Sequence, residues 1–356
     1  MNRIEELRKV LSQYNIDALF VKSESNITYL SGFTGGSSRL IISSDDAVLI
    51  TDGRYLEQAL KECSEDISVV SWLNDERYSH KTYGHVLRNL CAINLGFQSN
   101  ELTFSEYTEL NKLERIELNP LSGIVEPLRQ IKSVEEIKKL RTACEISDKA
   151  LNDTLKIINP GISELELTAE LEYNLKINGA ENISFDTIVL FGERTSLLHG
   201  KPSGRKLEAG DIILFDFGAL YQGYHADISR VMMCAKANSK QREMYNIVDK
   251  IGINAMNELK SGISAKTIAT KTFELIPKEY QKFFYPGMGH GVGLQIHENP
   301  FIKYDSEDMI LKNMVLTIEP GLYIPGWGGM RIEDTVLITE NSCEPLNQFD
   351  RRLLEL

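Results

Sequence analysis

Residues Asp211–Arg230 read DIILFDFGALYQGYHADISR. Two apolar runs, IILF and HADIS, flank a glycine-containing turn, and each carries one aspartate, Asp216 and Asp227. Paired as a β-hairpin centred near Tyr221 and Gln222, the runs set the two aspartates across the ladder from each other. Opposed residues of an antiparallel pair point to the same face. Two carboxylates held that close in an apolar sheet repel each other unless a cation or a proton lies between them. The stretch therefore predicts both an antiparallel sheet and a charged site built on it.

Three residues further along extend the set. His290 sits in GMGHGVG, where glycines let the backbone pack tightly around an imidazole. Glu319 ends the strand-like run VLTIE before Pro320-Gly321, and Glu333 lies in MRIEDTVLIT, whose apolar/polar alternation reads as a strand. Four carboxylates and one imidazole favour two divalent ions sharing a site over one tetrahedral zinc. Each residue alone has a plainer reading, as a solvent-face, turn or hydrogen-bonded loop residue. His297 (GLQIHENP) and His199 (LLHGKP) adjoin glycine and apolar residues. Either they hydrogen-bond a substrate carbonyl or a tetrahedral oxyanion, or they are ordinary loop histidines. His225 alternates with Asp227 and is expected within reach of the site, whereas His80 and His85 read as exposed helix residues. GMGHGVG is no phosphate cradle, since it lacks the Gly-Lys-Ser/Thr of a P-loop.

Bulk properties bound these readings. The 356 residues suffice for one large or two ordinary domains. A formal charge of -12 argues against broad binding to nucleic acid or anionic membrane surfaces. No apolar run approaches a membrane span, and the charged start MNRIEELRKV is unlike a signal peptide, so a cytoplasmic protein is expected. The five cysteines (Cys63, Cys91, Cys144, Cys234, Cys343) lack CxxC spacing and read as buried thiols, with one disulfide left open.

Along the chain, Ile4, Leu7, Val10, Leu11 and Tyr14 recur at helical spacing. Strands are expected at DALFV, RLIIS, AVLIT, ISVVSW and INLGF, with helices near Tyr83–Leu90 and Phe104–Leu113. YLSGFTGGSS and TDGRYLEQA read as loops. This alternation predicts an α/β domain over residues 1–127. Beyond Glu126-Pro127, Ser133 with Glu136 and Ser163 with Glu166 are capping boxes that open two helices. The first of these should bury Val134, Ile137, Leu140, Cys144, Ser147 and Leu151. Two more helices, near Ser239–Leu259 and from Ser264, precede the histidine and glutamate segments. Helix–helix–hairpin followed by helix–helix–strands hints at a duplicated α+β unit over residues 128–356.

DFGALYQGYHADISR, GMGHGVGLQIHE, TIEPGLY and MRIEDTVLIT together resemble the pita-bread metallopeptidases, the group of methionine aminopeptidase, aminopeptidase P and prolidase. NITYLSGFTGG and VLITDGRYLEQA resemble the creatinase/prolidase amino-terminal domain, so the likeness covers nearly the whole chain. It implies an α+β pita-bread catalytic domain preceded by a smaller α/β domain. It also implies a metallo-exopeptidase that cleaves proline-containing peptides after the first residue, using two divalent ions, Mn²⁺ foremost or Co²⁺, Zn²⁺ or Fe²⁺. By the same resemblance Asp216, Asp227, His290, Glu319 and Glu333 hold the metals, and Glu319 also shuttles a proton. His199 and His297 steady the substrate carbonyl. Arg331 lies either away from the metals or on their side as a supporting partner. Relatives without the metal ligands, such as creatinase, keep the fold, and a silent partner-binding protein is the rival reading. The amino-terminal domain implies a homodimer.

Four positions depart from the family pattern around the site: Leu198, Pro286, Gln295 and Phe301. Phe301 stands where prolidases often carry an arginine that pairs with a dipeptide's carboxylate. The expectation is therefore an aminopeptidase P-like enzyme, with an Xaa-Pro dipeptidase as the alternative and Phe301 in the substrate site.

Overall fold

The protein is described here from a computed structural model that covers residues 2–72 and 79–356, apart from the side chains of residues 79 and 80. The chain divides into two units, Met1–Arg129 and Gln130–Leu356.

In the first unit six strands form one sheet, ordered Ser68–Ser71, Ala47–Thr51, Ser38–Ser43, Ala18–Val21, Asn94–Gln98, Glu117–Leu121. The middle pairings are antiparallel and the outer ones parallel. Phe20, Ile41, Ile50, Trp72, Leu87 and Leu95 pack one core with helix Ser79–Asn89. His85 lies exposed on that helix, while the side chain of His80 falls outside the described residues. Two stretches expected as loops are partly helical, Glu24–Ser31 and Leu56–Glu62. The first ends on Gly32 at φ 80, the left-handed C-terminal stop that glycine supplies. Strand Glu117–Leu121 carries no clear strand signal in sequence because Pro120 interrupts it, and a proline is tolerated there because the strand lies at the sheet edge.

In the second unit the capping boxes predicted at Ser133/Glu136 and Ser163/Glu166 open helices Val134–Thr154 and Glu164–Ile177. Helix Ser239–Glu258 has a box of its own, Asn238/Gln241, and Ala265–Glu274 follows the cap Ser264. Val134 is 78% exposed, because a residue in the first turn precedes the packed face. Each helix pair is followed by an antiparallel sheet. The first sheet runs Ile188–Phe191, Ile212–Phe217, Ile228–Met233, with Leu354–Glu355 added in parallel; the second runs Glu298–Phe301, His290–Gly291, Val315–Ile318, Asp334–Ile338, Cys343–Pro345.

The run IILFDF is apolar on both faces because both faces are covered. Ile213, Phe215 and Phe217 pack against Leu167, Leu171 and Leu175 of the first helix pair. Ile212 and Leu214 face the other way, toward Met244, Val248, Ile251 and Ile268 of the second pair. Asp216 shares the parity of Ile212 and Leu214, so it projects toward that second face.

The hairpin register differs from expectation. Tyr221 pairs with Tyr224, so the turn is Gln222-Gly223, both at positive φ (47° and 79°) as a type I′ turn requires. Asp216 therefore opposes Ser229 instead of Asp227. The shift is two residues, which preserves the face, so both aspartates still point to the same side. HADIS is also not one strand: pairing stops at Ala226-Asp227 and resumes at Ile228. Likewise MRIEDTVLIT is two strands, Gly328–Arg331 and Asp334–Ile338, with Glu333 in the break. Two glycines are demanded by close approach. A Cβ on Gly218 would lie 1.8 Å from the Ala226 carbonyl oxygen, and one on Gly289, at φ +152, would lie 2.0 Å from that of Thr317.

All five cysteines are unpaired; Cys144 and Cys234 are buried, but Cys91 is exposed, contrary to the buried-thiol reading. Tyr14, expected on the buried face of the first helix, lies beyond its end and is 40% exposed.

Candidate active site

Asp216, Asp227, His290, Glu319, Glu333, His199, His297 and Arg331 all line one cavity of about 650 Å³ in the second unit. Strand ends deliver them. Asp227, Glu319 and Glu333 each sit in a break between strands, where the backbone leaves the ladder and can re-aim a side chain. Asp216 is the penultimate residue of its strand and His290 the first of its own. Phe301 does not line the cavity. It pairs with His290 in the sheet, and its ring lies 6.4 Å from the His290 ring. His225, expected within reach, is not among the lining residues, and its Nδ1 lies 3.0 Å from both the hydroxyl and the carbonyl oxygen of Ser184.

The imidazole of His290 fixes the electrostatics. Its Nδ1 lies 3.0 Å from the Gly291 carbonyl, which can only accept, so Nδ1 carries the hydrogen. The lone pair of Nε2 then faces Glu319 Oε1 at 3.3 Å and Asp227 Oδ2 at 3.6 Å. Burial depresses the pKa of His290, keeping it neutral. With the carboxylates ionised, three acceptors thus converge with no donor among them. Asp227, His290 and Glu333 each offer a ligand atom, all within 4.8 Å of one another. Glu333 Oε1 is buried with no hydrogen-bond partner, while its Oε2 accepts from Ser229 Oγ at 2.7 Å. Hard oxygens plus a neutral imidazole, one oxygen left bare, suit a divalent cation.

The carboxylates resist ionising together. Burial first, then the charge of Glu333, pushes Asp227 well above the usual carboxylate range, and burial followed by Glu319 does the same to Glu333. Burial raises Glu319 to about 7. Arg331 is the partial counterweight, and it stands on the cluster's side. Its guanidinium binds Asp216, Tyr323 Oη (2.6 Å) and Ser229 Oγ (2.8 Å). Asp216 is thereby held by Arg331, outside the three-residue set. His297 stacks edge-on against His290 with ring centroids 4.4 Å apart, and its pKa is lowered by burial and by His290. His297 and His199 are both exposed to the cavity.

Several supporting residues escaped the sequence reading. Thr335 Oγ1 donates to the Asp227 carbonyl at 2.8 Å, and Thr317 Oγ1 accepts from His290 N at 3.1 Å. Arg230 and Asp334 form a buried pair at 2.6 Å, and Arg230 also donates to the Glu333 carbonyl. Their only signal was polar identity at alternate positions of otherwise apolar strands.

Comparison with known proteins agrees with this geometry. A family model for metallopeptidase family M24 matches residues 138–340, and one for the creatinase/prolidase N-terminal domain matches residues 3–131. The chain is 38% identical to the Xaa-Pro dipeptidase of Pyrococcus furiosus over 99% of both chains. Among solved structures it superposes on the Xaa-Pro dipeptidase from Bacillus anthracis with a TM-score of 0.96, at 36% identity over 99% of each. It superposes on the X-Pro aminopeptidase from Thermotoga maritima with a TM-score of 0.90, at 32% identity over 98% of this chain and 100% of that one.

Proposed function

The chain belongs to metallopeptidase family M24, with a creatinase-type N-terminal domain and a pita-bread catalytic domain, and from that premise we propose that it is an Xaa-Pro dipeptidase. It is a metallo-exopeptidase, and its closely similar full-length relatives named for an activity are mostly dipeptidases. They favour the dipeptidase alternative over the aminopeptidase P-like reading that Phe301 suggested. The observation that carries the site assignment is the convergence of ligand atoms from His290, Asp227 and Glu333 within 4.8 Å, all of them acceptors once the carboxylates are ionised.

In this reading Asp227, His290, Glu319 and Glu333, with Asp216, hold two divalent ions, Mn²⁺ foremost. Such ions supply Lewis-acid polarisation of the scissile carbonyl and acidify a water beside it. Glu319 moves a proton from the attacking water to the proline nitrogen as the C–N bond breaks. His297, kept neutral, and His199 donate to the substrate carbonyl as its oxygen gains charge. Arg331 fixes Asp216 and neutralises part of the cluster. A bond to proline is a tertiary amide with no N–H, so a site that grips no amide hydrogen handles it well. The reading includes a cytoplasmic homodimer, which light scattering checks; a monomer contradicts it. The catalytic test is hydrolysis of Leu-Pro and Leu-Pro-Gly after Mn²⁺ loading and after chelation. Faster dipeptide cleavage, lost on chelation, is expected. Faster tripeptide cleavage would return the aminopeptidase reading, and activity unaffected by chelation would remove the metal assignment.

A further inference from the structure

An Xaa-Pro dipeptide carries a free carboxylate on the residue that follows the scissile bond. That charge must enter a cavity already lined by Glu172, Asp186 and the four clustered carboxylates. Two divalent ions would balance the four clustered carboxylates, but Glu172 and Asp186 would still repel the incoming charge, so a cation of the protein's own is expected beside it. Besides histidines, two cations line the cavity, Arg331 and Lys201. Arg331 is engaged by Asp216, Tyr323 and Ser229. Lys201 is exposed, and among the described residues no carboxylate lies within ion-pair distance of its ammonium.

The backbone of Lys201, by contrast, is tied down. Glu164, fully buried, accepts from Ser203 N at 2.8 Å, Ser203 Oγ at 2.6 Å and Arg194 Nε at 3.0 Å. Arg194 in turn donates to the Lys201 carbonyl at 2.7 Å. The segment from His199 to Ser203 is thus anchored at its back while the Lys201 ammonium stays free on a four-carbon stem. Phe301 offers no charge and lies outside the lining.

We propose that Lys201 binds the free carboxylate of the substrate's proline and so selects dipeptides over longer or C-terminally neutral peptides. This rests on the dipeptidase reading. His199, which the proposed function sets at the substrate carbonyl, lies two residues earlier on the same anchored segment and lines the same cavity.

The test compares kcat and KM for Leu-Pro and Leu-Pro-amide on the Mn²⁺-loaded enzyme and its Lys201→Met and Lys201→Arg variants. Lys201→Met should lower kcat/KM for Leu-Pro roughly tenfold or more, mainly through KM, and leave the amide unchanged. Lys201→Arg should restore most of the loss. Equal losses on both substrates, or none on Leu-Pro, overturn the assignment while leaving the dipeptidase reading standing. A wild-type enzyme that prefers the amide overturns both.

Discussion

In the N-terminal unit Glu106 is met by Lys22 at 2.5 Å and Arg39 at 2.9 Å, and the buried Asn26 bonds Glu126 and Arg129, each at 2.7 Å. In the catalytic unit four carboxylates cluster in one cavity lined by a single arginine, and one oxygen of Glu333 has no hydrogen-bond partner among the described residues. The pKa directions follow. Burial works against Glu106, yet hydrogen bonds from Lys22 and Thr103 bring it down to about 2. Burial and mutual repulsion push Asp227, Glu319 and Glu333 up. Paired charge serves stability, whereas unbalanced buried charge is kept only where a ligand completes it.

The sharpest break of that contrast is Glu333→Gln. Losing this carboxylate should cut dipeptide hydrolysis by roughly 10³-fold or more. The same change should raise the melting temperature of chelated protein, because it removes one of the repelling charges. The pH dependence carries the sign. Glu319 titrates near 7 in the folded chain against an ordinary value of 4.5, so the folded state holds the extra proton in that window. Stability of the chelated enzyme should therefore fall as pH rises from about 4.5 through 7, and saturating Mn²⁺ should flatten the fall. A chelated protein that gains stability over that range would mean the carboxylates do not repel.

Arg331→Met tests the one counter-charge. It strands Asp216 and removes the bonds to Ser229 and Tyr323, and should cost about 3–5 kcal/mol in urea unfolding. Arg331→Lys should recover only part, since a single ammonium cannot reproduce the three-way fork.

The smallest effect belongs to the paired side. Glu106→Gln should cost about 1 kcal/mol at pH 7 and leave kcat unchanged. Because Glu106 is depressed below 4.5, its contribution is present above that pH and is lost as pH falls toward 2, so the variant and the parent should converge in acid. A change in kcat would mean that the two units are not separable in this way.

Helix starts were the most legible feature, since Ser133/Glu136, Ser163/Glu166 and Ser264 act within one turn of chain. The hairpin face was legible and its register was not. Parity depends on counting residues by twos, whereas register depends on which pair of residues adopts positive φ, and Gln222-Gly223 did. Phe301, a substrate contact by its place in a motif, pairs with His290 and stands with its ring 6.4 Å from that imidazole, beside the cavity but not among its lining residues.

From sequence alone came the periodicities, the caps, the acidic and imidazole residue types and the motifs that mark the family, because these are properties of neighbours along the chain. Only the tertiary structure decided that Asp227, Glu319 and Glu333 sit in strand breaks, that Arg331 holds Asp216, and that Lys201 remains uncommitted. Those facts depend on which groups are buried together across a hundred residues of separation, where Coulomb energy and desolvation act through space and leave no trace in local pattern.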